Sequence, residues 1–305
     1  TGELPRALEK KITEWGGEIL TEIEITEVNA YEQNLKDSQG NTYKYDHLIW
    51  AADLKAFYRM ITLDGLSEKI KKNIAARKDL IATKRGGDSV FTLFLAVNEP
   101  IEKFKPISNG HFFYTPSRKG LGEVHRSELK QLIDNFAALT KEQILSWLEK
   151  YSRLTTYEIS IPALRDPALA PMGKTGLVLS FLFEYDLVKK IADAGWYDEF
   201  RAHVEKQMLE TLSNSIFPGL KNKIIFQFSS SPLTIANLVR TSEGGITGWS
   251  FESEVPVVHK LLQISQSIKT PIPNVFQAGQ WAYSPAGIPI ALLTGTLAAQ
   301  KIMKS

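Results

Sequence analysis

The sequence predicts a mixed α/β fold in two units, and three observations carry that expectation. Short apolar strand candidates stand near both ends of the chain, each leading through a turn into a helix. Five more strand candidates lie at wide spacing through the middle, with long helical stretches between them. At 305 residues the chain also exceeds what one hydrophobic core comfortably holds.

The elements follow in order. Leu4, Leu8, Ile12 and Trp15 recur at helical spacing, with Pro5 in the first turn and Gly16-Gly17 as the stop. Ile19, Thr21, Ile23 and Ile25 alternate with Leu20, Glu22 and Glu24, which predicts a strand running raggedly on to Tyr31. Asp37-Ser38-Gln39-Gly40 signals a turn, and Thr42 to Tyr45 returns along a hairpin. His47 to Ala52 is an apolar run too short for a helix and reads as a buried strand. Asp53 stands where a helix N-cap is wanted, ahead of Ala56, Phe57 and Met60.

In the middle, Phe91 to Val97, Gly110 to Tyr114, Tyr157 to Ile161, Gly176 to Phe183 and Ile224 to Phe228 are expected as strands. Helices are expected over 67–77, 126–139, 141–151 and 196–215, with Thr140 and Gln143 forming a capping box. Together these describe a mixed, largely antiparallel sheet covered by helices. Phe91, Phe94, Phe112, Phe113, Phe181 and Phe183 are candidates to line an apolar tunnel, although strand alternation assigns most of them to the core. The chain closes with a buried strand over 274–278, a Gly/Pro-rich turn to Pro289 and a helix from Ile290 to about Lys304. The expected division sets residues 1–58 with 240–305 against 59–239.

Composition removes several function classes. A net charge of +2 without a basic block gives no case for nucleic acid. With no cysteine there is no disulfide, thiolate zinc site or thiol nucleophile, which fits a cytoplasmic setting. No run of 18 apolar residues predicts a membrane span. His47, His111, His125, His203 and His259 lack metal-ligand spacing, and no metal is expected. No G-x-S-x-G elbow marks a serine hydrolase. Amphipathic stretches around 129–136 and 144–148 offer a peripheral bilayer contact, although a helical cover on the sheet is the simpler account. Thr1-Gly2-Glu3-Leu4-Pro5 carries neither a starting Met nor a signal peptide, so a piece of a longer protein is expected.

Residues 274–299 hold the most chemistry. A strand feeds a loop containing Gly279 and Gly287, positions where backbone can approach something flat or charged. Pro289 suits a first helical turn, whose free N–H groups and positive dipole end suit a developing anion. By residue types alone, packing explains this segment equally well.

The pattern Ala278-Gly279-x-Trp281…Pro285-x-Gly287-Ile288-Pro289-x-Ala291-x-x-x-Gly295-x-x-Ala298-Ala299 resembles the C-terminal flavin segment of the phytoene dehydrogenase (carotenoid desaturase) and amine-oxidase superfamily. Gly2 to Leu8 resembles the start of that family's second FAD-domain segment. Ile25-Thr26-Glu27-Val28 resembles the strand tail that touches adenine, and Ile49 to Asp53 the strand end leading to the substrate domain. Pro162 to Pro171, with Ala163 in place of Ser, and the glycines 244, 245 and 248 match two further stretches.

The resemblance implies a partial FAD-binding domain joined to a substrate domain. It also implies Ile25, Ala51, Ala52, Gly279, Gln280, Gly287, Ile288 and Pro289 as cofactor-binding residues. Gln280 replaces the family's usual acid. The implied activity is FAD-dependent dehydrogenation, isomerisation or saturation of C–C bonds in a long isoprenoid-like substrate, with no catalytic residue named. A Rossmann G-x-G-x-x-G is absent from the sequence, so weak or no FAD binding is expected of residues 1–305 alone. The rival from another class is a prenyl- or lipid-binding protein similar to the Rab GDP-dissociation inhibitors, which keep the fold without flavin.

Overall fold

The computed structural model describes residues 2–120, 126–251 and 253–304, so Thr1 and His125 of the sequence reading lie outside the described residues. The chain divides into two compact units, Thr1–Thr83 with Pro256–Ser305, and Lys84–Val255. The first opens with α1 (Glu3–Glu14), β1 (Ile25–Asn29), β2 (Asn34–Asp37), β3 (Thr42–Lys44), β4 (Leu48–Trp50), α2 (Leu54–Met60), β5 (Ile61–Thr62) and α3 (Glu68–Ala82). The second runs β6 (Ser89–Val97), β7 (His111–Tyr114), α4 (Arg126–Asp134), α5 (Lys141–Leu154), β8 (Tyr157–Ser160) and β9 (Thr175–Phe183). It continues with α6 (Tyr185–Asp193), α7 (Tyr197–Ser213), β10 (Ile224–Ser230) and α8 (Pro232–Leu238). The chain then returns to the first unit with α9 (Ile264–Ser267), β11 (Val275–Gln277) and α10 (Ile288–Ile302).

The boundaries therefore fall later than the expected 58/59 and 239/240. The reason is pairing. β5 lies parallel to β1 through Val28↔Ile61 and Asn29↔Thr62, and Phe57, Tyr58, Ile74 and Ile81 are buried, which ties α2 and α3 to the first unit. At the other end Ile246 N–H donates to the Asp88 carbonyl and Ser250 N–H to that of Arg85, keeping residues up to 255 with the second.

In the first unit β3-β2-β1-β5 form one sheet, and β4 pairs in parallel with β11 through Leu48↔Val275, Ile49↔Phe276 and Gln277↔Trp50. The strand expected from Ile19 begins only at Ile25, because Glu22 at φ +60° interrupts the extended chain. β4 is less buried than its composition suggests, with Ile49 exposed. The stripe on α1 also stays open, with Leu4, Leu8 and Ile12 all more than two-fifths exposed.

At the hairpin turn the buried Asp37 accepts from the N–H groups of Gln39 and Asn41, the Asn41 amide and the Tyr43 hydroxyl, each at 2.9 Å. The Asn41 side chain leads in holding its carboxyl below the usual carboxylate range. A depressed folded pKa stabilises above the unfolded value of about 3.9 and is lost as pH falls through the folded one. Asp37→Asn should therefore flatten the acid limb of a stability–pH curve in that window while lowering the plateau at neutral pH. A variant curve parallel to wild type below pH 4 would contradict this.

The second unit is built on one antiparallel sheet, β10-β6-β9-β8-β7, with all strand pairs antiparallel. Phe91, Leu93, Leu95 and Val97 of β6, Leu177 to Phe183 at alternate positions of β9, and Tyr157 and Ile159 of β8 form one buried face. Against it lie Ile144 and Leu148 of α5, Leu187, Val188 and Ile191 of α6, and Phe200, Val204, Met208 and Leu212 of α7. Most of the apolar residues that suggested a bilayer contact in α4 and α5 are packed on the sheet. Thr140 and Gln143 form the expected capping box. No helix among the described residues is long and apolar enough to cross a membrane.

Three helices among the described residues escaped the sequence reading: α6, α8 and the four-residue α9. α6 follows β9 with no Gly or Pro between them, so the change of period from two to 3.6 is the only signal. α8 was readable from Ser231, Pro232 and Thr234, a capped first turn with proline at its start.

Candidate flavin and substrate sites

Parallel pairing sets the geometry in the first unit. β4 and β11 run the same way, so their carboxyl ends emerge on one edge, where open α/β sheets form ligand crevices. After β4, Ala51 and Ala52 lie exposed and Asp53 caps α2, its carboxylate accepting from Ala56 N–H at 2.8 Å. After β11, Ala278 N–H donates to the Trp50 carbonyl at 2.9 Å, and the chain turns at Gly279 with φ +82°. A Cβ on Gly279 would stand 3.2 Å from the Ala51 carbonyl oxygen, so the two strand ends touch through backbone. The Gly279 N–H donates to Thr294 Oγ1 at 3.0 Å, which fastens the turn to α10.

Gly287 is the N-cap of α10; its φ of +143° favours glycine, and a Cβ there would meet only Pro289 Cδ, at 3.9 Å. No side chain caps this end, and Pro289 lacks an N–H, leaving the Ile288 and Ile290 N–H groups without helical partners. Of the residues picked from sequence, Ala51 and Gly279 are in contact, with Ala52 and Gln280 next to them. Gly287, Ile288 and Pro289 start the helix that Thr294 ties to the same turn. Ile25 opens β1 in the other sheet of this unit. Thr294 was missed as a site residue, and the sequence did not single it out, since Thr296 stands two positions on in the same helix.

Two of the cavities among the described residues lie in the second unit. One, of about 360 Å³, is lined by Arg85, Asp88, Asp134, Glu184, Asp186 and Glu243 among others. Its charges are largely satisfied internally: Arg85 reaches Glu184 at 2.8 Å and Asp186 at 2.5 Å, Lys130 pairs with Asp134, and Glu243 accepts from Gly86 N–H at 2.7 Å.

The other cavity, of about 240 Å³, is a groove on the open face of the sheet. Register explains it. Residues alternating with the buried set face away from the helices, and cross-strand pairing lines up Phe228, Phe94 and Val178, with Phe226 and Ala96 in the next row. Phe94 and Phe228 stack with centroids 4.5 Å apart and planes 8° apart. Leu169, Pro162 and Ala163 wall one side, and among the described residues no ionisable side chain lines the groove. Beside it run Thr92 and Ser180, their hydroxyls 3.0 Å apart. The expected aromatic tunnel thus splits by face. Phe91, Phe181 and Phe183 are core, Phe112 packs at the core's edge, and Phe94 and Phe113 stand on the open face.

Residues 1–303 match the family model described as flavin containing amine oxidoreductase. The chain belongs to that family. Among solved structures, an oxidoreductase from Methanosarcina mazei superposes with a TM-score of 0.54 at 16% identity, covering 98% of this chain and 53% of that one. Putrescine oxidase bound to putrescine gives 0.56 at 13% identity, over 97% and 52%. At such identity these show the fold alone, and the chain spans about half the length of either. No curated protein matches.

The cofactor of flavin containing amine oxidoreductases is a flavin, FAD, and the first unit offers it a fitting seat. At Gly287 a Cβ would meet only Pro289 Cδ, at 3.9 Å, so the bare backbone there leaves room for a flat ring. The uncapped start of α10 aims N–H donors and the positive dipole end at that space, which suits the negative charge of a reduced flavin. Gly279 and Ala51 keep the strand-end crevice bare of side-chain bulk. Gln280, half-buried on the turn, carries an amide that can donate or accept.

Proposed function

We propose that the protein containing this chain is an FAD-dependent oxidoreductase that acts on C–C bonds of a long, apolar, isoprenoid-like substrate. The observation that carries this reading is the Phe94–Phe228–Phe226 groove. Its lining offers burial to hydrocarbon and no carboxylate to a protonated amine. Bound flavin supplies the hydride acceptor. The chain's own part is to hold the apolar substrate on the aromatic wall and exclude water. At the flavin seat, the N–H groups at the start of α10 stabilise negative charge.

We also read the open stripe of α1 and the two-stranded β4–β11 sheet as the seat of a further segment that completes the FAD site, since parallel sheets are normally covered on both faces. Residues 1–305 alone should then bind FAD weakly and turn over no substrate.

The test is anaerobic bleaching of the flavin in the full-length protein by a series of polyenes, saturated isoprenoids and aliphatic amines. Isoprenoid-type substrates should bleach it, and Phe94→Ala and Phe228→Ala should each raise the half-saturating concentration by about tenfold for a loss near 1.4 kcal/mol. Bleaching by amines alone would reject the substrate class. Tight binding of isoprenoids by a protein without flavin would favour the carrier similar to the GDP-dissociation inhibitors.

A further inference from the structure

Thr294 sits on α10 with no exposed surface, and its hydroxyl works in two directions. Oγ1 accepts the Gly279 N–H at 3.0 Å. The same hydroxyl has one proton, which goes back to the carbonyl of Ile290 at 2.8 Å or of Ala291 at 3.1 Å. One side chain therefore couples the glycine turn after β11 to the first turn of α10. No other side-chain acceptor is recorded for that N–H among the described residues, and Gly279 is itself half-buried.

The turn is otherwise closely constrained. Ala278 N–H is held by the Trp50 carbonyl, and Gly279 lies back on Ala51 in a left-handed conformation. Ala282 N–H returns to the Gly279 carbonyl at 3.2 Å. What remains adjustable is the distance between this turn, which carries Gln280, and the helix start at Gly287–Pro289. The Thr294 hydroxyl spans that gap. An amide left without its acceptor in a half-buried turn is destabilised enough to move the turn.

We propose that Thr294 is the positioning residue of the flavin seat, setting the turn 279–281 against the N-terminus of α10 without touching the cofactor. The inference rests on the flavoprotein reading above. It differs from a purely packing role in one respect: a Val side chain fills the same volume but cannot accept a hydrogen bond.

The experiment uses the full-length protein with FAD and compares wild type, Thr294→Val and Thr294→Ser. Three quantities are read: the FAD dissociation constant, the flavin midpoint potential and the visible absorption maxima. Thr294→Val should bind FAD about tenfold more weakly, as expected for one lost hydrogen bond, with displaced maxima and potential. Thr294→Ser should follow wild type in all three. A Val variant with unchanged affinity, potential and spectrum, whatever its melting temperature, overturns the proposal. If Thr294→Val does not accumulate, Thr294→Cys replaces it. A thiol is the weaker acceptor, so FAD affinity must rank Ser above Cys, and equal affinities overturn the proposal. Wild-type protein without FAD would instead reject the flavoprotein reading, and the inference with it.

Discussion

Phe91→Ala is expected to destabilise the second unit by about 3–5 kcal/mol, the range for removing a fully buried aromatic side chain. Phe91 has no exposed surface and sits where three other rings converge. Phe181 lies 6.0 Å away, Phe183 6.4 Å and Phe200 6.0 Å, the last two edge-on. These neighbours come from β9 and α7, so the cavity left by alanine opens between sheet and helices and neither can relax into it without breaking register. Hydrogen exchange of β6 and β9 amides in the full-length protein reads the loss unit by unit. Phe113→Ala, on a side chain 68% exposed, serves as control and should change stability by less than about 0.5 kcal/mol. Equal loss of protection in both variants would disprove the face assignment on which the open-face groove depends.

Gly244→Ala should be nearly as damaging, for a different reason. Gly244 lies at φ +62° in the loop that resembles the family's glycine-containing stretch. A Cβ there would stand 2.4 Å from the Pro232 carbonyl oxygen and 2.9 Å from Ser89 Oγ. The nearer atom is backbone at the start of α8, so relief requires the loop or the helix to move. The strain of the left-handed conformation alone is about 1–2 kcal/mol, and the clash adds to it. The expected result is a loss of more than about 2 kcal/mol, with local loss of exchange protection across α8. Gly173→Ala is the comparison, because it shares a positive φ of 75° but meets no atom within 4 Å. If both alanine variants lose the same stability, the conformation and not the close approach explains the effect.

Legibility in the sequence followed the strength of the local signal. The strands of the second unit were readable because period-two alternation over four to nine residues meets one strongly apolar face, and β6, β8, β9 and β10 fall within two residues of expectation. The segment from Ile19 showed the same alternation and failed, since one residue at positive φ redirects a chain without leaving a mark in hydrophobic periodicity. The unit boundaries misled for a related reason. β5 is only two residues long, and its pairing with β1 is a long-range fact that no local pattern announces. At the candidate flavin seat the glycines and Pro289 were legible because each performs a backbone task that few other residues can. Thr294 was not, because its role exists only once a turn fifteen residues earlier is folded against it. The open-face groove required register: Phe94 and Phe91 look alike in sequence and lie on opposite sides of the sheet.

The pairing of β4 with β11 also has a consequence for biosynthesis. Leu48 cannot meet Val275 until the entire second unit has left the ribosome. The second unit draws its sheet from one continuous stretch, whereas the β4–β11 pair joins strands that lie on either side of it in the sequence. Forming that pair brings together the two strand ends at Ala51 and Gly279, so the candidate flavin seat is assembled only after the second unit has been made.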